Sequence, residues 1–128
     1  VRYLLDTHAL LWFVSGDPAM SERARAVVSS EKHTILASAA SAWEIATKHR
    51  LGKLPGAQLL ATNFADAVTG LGFDVLPISA EAAQVAGGWR VAHRDPFDRM
   101  LAAQSRLEGA PIITDDDAFA VFGVEMVW

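Results

Sequence analysis

Short β-prone runs alternate with longer stretches of helical spacing along almost the whole chain. Residues 2–5 predict a first strand that ends at Asp6. The apolar stretch from 7 to 14, with Ala9, Leu10, Leu11, Trp12 and Phe13, predicts a helix packed against a core, broken by Gly16, Asp17 and Pro18. Ser21 opens a helix to about residue 30, with Glu22 in the first turn, where a negative charge complements the helix dipole. Residues 34–37 predict a second strand. Ser38 or Ser41 caps the helix after it, which runs to about Leu51 before Gly52 and Pro55 end it.

The pattern repeats in the second half. Residues 58–71 predict one helix and residues 73–78 a third strand. Ser79 caps a short helix over 80–86, which Gly87 and Gly88 stop. Asp95 followed by Pro96 is the sharpest local signal, an acidic N-cap with proline at the first helical position. That helix continues to about Glu108, with Phe97, Met100, Leu101, Gln104 and Leu107 at core spacing, and Gly109 ends it. Residues 110–114 predict a buried strand, 118–122 a helical turn and 125–127 a last strand. This alternation predicts an α/β sandwich around a mainly parallel sheet, and no linker or repeat divides residues 1–128, so one domain is expected.

Parallel sheets bind their ligands beyond the carboxyl ends of the strands. Asp6 and the run Asp115, Asp116, Asp117 each follow a predicted strand, so distant parts of the chain bring carboxylates to one edge. Composition sharpens this picture. The 128 residues are 52% hydrophobic and 20% charged, the balance of an ordinary globular protein. With no cysteine, disulfides, thiolate metal sites and cysteine nucleophiles are excluded. No apolar run has the length of a membrane span and the first residues lack a secretory pattern, so a cytoplasmic protein is expected. The net charge of −4 opposes binding to nucleic acid, unless the acids are gathered in a site whose field bound cations reverse.

Each acid alone has a plainer explanation. Asp6 fits a helix cap, Glu44 a solvated partner of Lys48 one turn on, and Asp98 a third helical residue favoured by the dipole. Asp95 reads as the N-cap, and Asp115 to Asp117 as a solvated turn. Gathered together, carboxylates raise one another's pKa and remain ionised only beside a cation. Oxygen-only donors select hard ions such as Mg²⁺ or Mn²⁺. Two such ions about 4 Å apart suit in-line attack on a phosphodiester.

The motifs that carry these acids occur in order over nearly the whole length. They are Leu4-Leu5-Asp6-Thr7-His8; Ser41-Ala42-Trp43-Glu44-Ile45-Ala46 with Lys48 and Gly52-Lys53-Leu54; His93-Arg94-Asp95-Pro96-Phe97-Asp98-Arg99 with Leu101-Ala102-Ala103-Gln104; and Ile113-Thr114-Asp115-Asp116 with Phe119. In these the chain resembles the PIN-domain ribonucleases, above all the VapC-type toxins of toxin–antitoxin pairs. The resemblance implies a three-layer α/β/α sandwich with five parallel strands. It implies Asp6, Glu44, Asp98 and Asp116 as catalytic, metal-binding acids, with the Thr7 and Thr114 hydroxyls positioning water. It further implies Mg²⁺ or Mn²⁺, an RNA substrate, a homodimer and a cognate antitoxin that binds over the site.

Other residues divide between two roles. Lys48, Arg50, Arg94 and Arg99 are candidates for contact with RNA phosphates, or a solvated helix face. His8, His33, His49 and His93 are too scattered for a zinc site, and His93 is expected at the surface near the pocket entrance. Core packing is expected for Trp12 and Trp43. The competing functions are a PIN-like protein-binding module without catalysis and a DNA-directed nuclease of related fold. A phosphotransfer domain is disfavoured, because Asp6 lacks an acid two residues away and acids follow Thr114 where that chemistry needs lysine.

Overall fold

A computed structural model describes residues 1–128. Its five strands are β1 (Arg2–Leu5), β2 (Thr34–Ser38), β3 (Asp74–Leu76), β4 (Ile112–Ile113) and β5 (Met126–Val127). They form one sheet in the order β3-β2-β1-β4-β5, every pair parallel. Successive strands move outward from β1 on one side, and the chain then returns to lay β4 against its other side. The switch point lies between β1 and β4, where Leu4 pairs with Ile112 and Leu5 with Ile113. At such a point the two connections leave in opposite directions and open a crevice beyond the strand ends.

Seven α-helices complete the chain: α1 (Thr7–Ser15), α2 (Glu22–Ser29), α3 (Ala39–Arg50), α4 (Gln58–Thr62), α5 (Phe64–Gly70), α6 (Ala80–Gly88) and α7 (Pro96–Glu108), with a 3₁₀ turn at Asp117–Phe122. Strand side chains alternate between two separate cores. Leu5, Ile35, Ala37 and Ile113 join Leu10, Val28, Ile45, Leu60 and Val68 on one face. Leu4, Leu36 and Ile112 join Leu101, Ala102, Phe119 and Phe122 on the other. Both faces are covered, as the three-layer expectation requires, and this is why β1 and β2 read as continuous apolar runs instead of alternating with polar residues.

Several boundaries differ from those the sequence predicts. The single helix expected over 58–71 is broken at Asn63, whose backbone (φ −137°, ψ 49°) is not helical. Leu60 and Val68, on either side of the break, pack into the same core. Strand β3 stops before Pro77 and β4 begins after Pro111, since proline has no N–H to give a ladder. Helix α6 continues through Gly87 and Gly88 instead of stopping at Ala86.

Ser38 settles how α3 begins. Its hydroxyl accepts from the Ala40 N–H at 2.9 Å and donates to Gln104 Oε1 on α7. The Gln104 amide in turn donates to the Pro77 carbonyl at 3.2 Å. Cap, second core layer and β3 exit therefore meet at one buried hydroxyl. Ser38→Ala removes a cap and strands the Gln104 carbonyl, an expected loss of about 2 kcal/mol in urea unfolding. A loss below a few tenths would show that water replaces the hydroxyl.

Candidate functional site

The first acid is fixed by where β1 ends. Asp6 caps α1, its Oδ1 accepting from the His8 N–H at 2.9 Å, and its Oδ2 accepts from the Thr114 hydroxyl just past β4. The carboxylate is 4% exposed. Thr114 also accepts from the Asp116 N–H at 3.0 Å, and Asp116 Oδ1 accepts from Ala118 N–H to cap the 3₁₀ turn. A chain of hydrogen bonds thus runs from Asp116 through Thr114 to Asp6, across the switch point.

Glu44 comes from α3. It is 4% exposed, and its Oε2 lies 2.6 Å from Lys48 Nζ. The i,i+4 pair is present, but Glu44 is buried instead of solvated. Asp98 comes from the first turn of α7, where Asp95 is the N-cap and accepts from the Phe97 and Asp98 N–H groups at 2.8 and 3.0 Å. Asp98 Oδ2 is 2.9 Å from His93 Nε2.

These carboxylates share one electrostatic field. Burial raises Asp6, against the lowering effect of its hydrogen bonds from Thr114 and His8, and the charge of Glu44 raises it further. Burial likewise pushes Asp98 up to about 6, opposed by the His93 bond and reinforced by the charges of Asp95 and Asp6. Burial draws Lys48 down, but the hydrogen bond and charge of Glu44, with Asp95 and Asp98 behind them, outweigh it and leave the ammonium raised. Asp116 is exposed and joins the group only through Thr114. As the side chains stand, no three His, Asp or Glu groups converge closely enough to enclose an ion. Lys48 and His93 instead hold one acid each.

Several residues have roles other than those expected from sequence. The Thr114 hydroxyl donates its hydrogen bond to Asp6, and Thr7 is hydrogen-bonded to Ser41 at 2.8 Å, so both hydroxyls take part in the protein framework. Arg99 is engaged within the chain. Its guanidinium donates to the carbonyls of Ala86, Trp89, Val91 and His93. His93 is no bystander at the surface; it is half-buried against Asp98 and Phe122. Its five-residue spacing from Asp98 straddles a helix cap, so no helical periodicity reveals the pair. Trp43 is not core. It is 60% exposed, sits edge-on to Phe97 at 4.9 Å, and with Ile78, Arg94 and Met100 lines an apolar cavity of about 240 Å³. Arg50 and Arg94 are exposed. The larger concavity, about 410 Å³, lies around Gly109, Pro111 and Glu125 at the opposite end of β4, away from the acids.

Fold and site together define an α/β protein with buried acids at the switch point of an all-parallel sheet. The PIN domain family model matches residues 3–125, and the chain belongs to that family. It is 44% identical over 62 residues to Ribonuclease VapC16 of Mycobacterium tuberculosis (strain ATCC 25618 / H37Rv), a stretch covering 48% of this chain and 43% of that relative. The chain therefore spans under half the length of this curated relative. Its fold is similar to VapBC2 from Rickettsia felis, solved bound to a DNA fragment from their promoter, with a TM-score of 0.72 at 14% identity over 99% of this chain and 98% of that one. It is also similar to VapBC-1 from nontypeable Haemophilus influenzae, with a TM-score of 0.62 at 13% identity over 99% and 97%. At these identities the solved structures share the fold.

The raised acids have a consequence for stability. An unfolded aspartate titrates near 3.8, so between that value and about 6 the folded, metal-free protein keeps a proton on Asp98 that the unfolded chain has lost. Stability therefore falls as pH rises through this window, and Asp6 acts in the same direction. Asp98→Asn removes the Asp98 share of the effect. With chelator present, the variant should gain on the wild type by about 1–2 kcal/mol between roughly pH 4 and 7, the size a shift of this order gives after solvent screening. Chemical denaturation across that range measures the difference, and a pH-independent difference would contradict it.

Proposed function

We propose that this chain is a metal-dependent endoribonuclease acting as the toxin of a toxin–antitoxin pair, with residues 1–128 as one nuclease domain. The observation that carries the reading is the burial of Asp6 and Glu44, with Asp98 in the same field, at the crevice where β1 and β4 end. Buried carboxylates that raise one another are costly to keep together unless a cation joins them. Membership of the PIN family and the likeness to a protein named Ribonuclease VapC16 support the choice of reaction.

The donor set fits Mg²⁺ or Mn²⁺: it consists of hard oxygens, without thiolate, from three separate elements. Asp6, Glu44 and Asp98 would hold the ion, with Asp116 as the fourth acid. When bound, the ion supplies the charge neutralisation and water activation that phosphodiester hydrolysis requires. The protein's own part is placement. Thr114 and the α1 N-terminus fix the Asp6 carboxylate, leaving lone pairs on both its oxygens. Lys48 neutralises Glu44, and with that carboxylate given to a cation its ammonium would be free to meet a phosphate. Trp43 and Arg94 form a rim on which an unstacked base and its phosphate can rest. In the cell the same rim would be covered by the cognate antitoxin, and the active form would be a cytoplasmic homodimer. No helix of the structure is long and apolar enough to cross a membrane.

Purified protein incubated with labelled single-stranded RNA in Mn²⁺ or Mg²⁺ should cut it, and EDTA should stop the reaction. Asp6→Asn and Glu44→Gln should each lower the rate at least a hundredfold while the protein stays folded by circular dichroism. A single-stranded DNA of the same sequence tests the sugar. Failure of the wild type to cut RNA with either ion would overturn the proposal in favour of a binding module.

A further inference from the structure

Arg99 follows Asp98 on α7, yet its side chain is turned away from the crevice and into the connection between α6 and α7. There its Nε donates to the Ala86 carbonyl at 2.7 Å. One terminal nitrogen donates to Val91 at 3.4 Å and His93 at 2.7 Å, and the other to Trp89 at 2.5 Å. Trp89 to Asp95 belongs to no helix or strand. Apart from the Asp95 carbonyl, which accepts from the Arg99 N–H, the connection makes no loop or cap backbone hydrogen bond. One planar guanidinium therefore supplies what a neighbouring strand would otherwise supply, serving alternate carbonyls at 89, 91 and 93.

The last of these carbonyls belongs to the residue whose imidazole meets Asp98. His93 Nε2 lies 2.9 Å from Asp98 Oδ2, and the ring stands edge-on to Phe122 at 5.5 Å. A closed circuit results: Asp98 and Arg99 are neighbours on one helix, Arg99 holds the His93 backbone, and the His93 side chain returns to Asp98. Asp98 Oδ2 is thereby occupied, while its Oδ1 takes no hydrogen bond from the protein. Hydrogen-bond partners of metal-binding carboxylates commonly affect metal affinity by ten- to a hundredfold.

We propose that Arg99 is a positioning residue, which folds the Trp89–Asp95 connection onto its guanidinium so that His93 orients the Asp98 carboxylate toward the crevice. This inference rests on the metal-site reading of Asp98 given above. A lysine at position 99 keeps the charge but is a single point donor that cannot span four carbonyls. His93 should then lose its fixed place while α7 remains intact.

The test is Mn²⁺ binding, followed by calorimetry with the ion alone, in wild type, Arg99→Lys, His93→Gln, the double variant and Asp6→Asn. Thermal melting of each gives the folded fraction. Arg99→Lys and His93→Gln should each weaken Mn²⁺ binding about ten- to a hundredfold. The double variant should be little worse than either alone, because both act through one contact. Additive losses, or unchanged affinity in Arg99→Lys while Asp6→Asn abolishes binding, would overturn the positioning role and leave the metal site standing. If the wild type itself binds no Mn²⁺, the metal reading fails instead. The circuit is then tested in the metal-free protein by the His93 imidazole nitrogen shifts. They should report a fixed Nε2–H tautomer in wild type and a mixture in Arg99→Lys; identical spectra would overturn it. Should Arg99→Lys not fold, unaltered Mn²⁺ affinity in His93→Gln would overturn the positioning role in the same way.

Discussion

The side chain of Asp6 ties together parts of the molecule that are remote in sequence. It ends β1, caps α1 and accepts a hydrogen bond from the Thr114 hydroxyl beyond β4, so one carboxylate spans the switch point of the sheet. Its burial makes this arrangement consequential. In water the hydrogen bonds would exchange freely, but in a buried crevice they fix the group, and desolvation together with Glu44 raises its affinity for a proton. A polar group treated in this way contributes little to stability by itself. It creates a local demand for positive charge, and the surrounding residues are arranged around that demand.

In the absence of a metal the demand is met acid by acid. Glu44 has Lys48 one turn further along α3, and Asp98 has His93 from the connection before α7. Neither partner is rigidly inaccessible: Lys48 is about a third exposed and His93 about a fifth. Partial exposure would let each partner yield its carboxylate to a cation, under the proposed metal reading, without a lasting unpaired charge in the interior. It also accounts for a net charge of −4 in a protein proposed to act on RNA, since the acids that repel phosphate are the ones a metal would neutralise.

The surrounding fold supplies rigidity at the points where the acids enter. Ser38, Gln104 and Pro77 lock the start of α3 to α7 and to the end of β3, and Thr7 to Ser41 joins α1 to α3. The two cores on either face of the sheet hold these helices from behind, so the acids sit on elements whose positions are set by packing. Function and core therefore meet at a few buried hydroxyls. Small polar residues are used there because a Ser or Thr can satisfy a carboxylate, a backbone donor and a neighbouring hydroxyl in little space.

Much of this was determined by local sequence. The alternation of strands and helices, the caps at Asp6, Ser21, Ser79 and Asp95, and the acids carried by ordered motifs all follow from interactions within a few residues, which a linear pattern records. The break at Asn63 has no signal in the local sequence pattern and was decided only in the folded chain. The exposure of Trp43, the inward turn of Arg99 and the pairing of His93 with Asp98 were likewise settled only when α3, α6 and α7 came together. Side-chain direction and burial are properties of the assembled layers. Sequence could name the acids, but only packing could determine which donor each one meets.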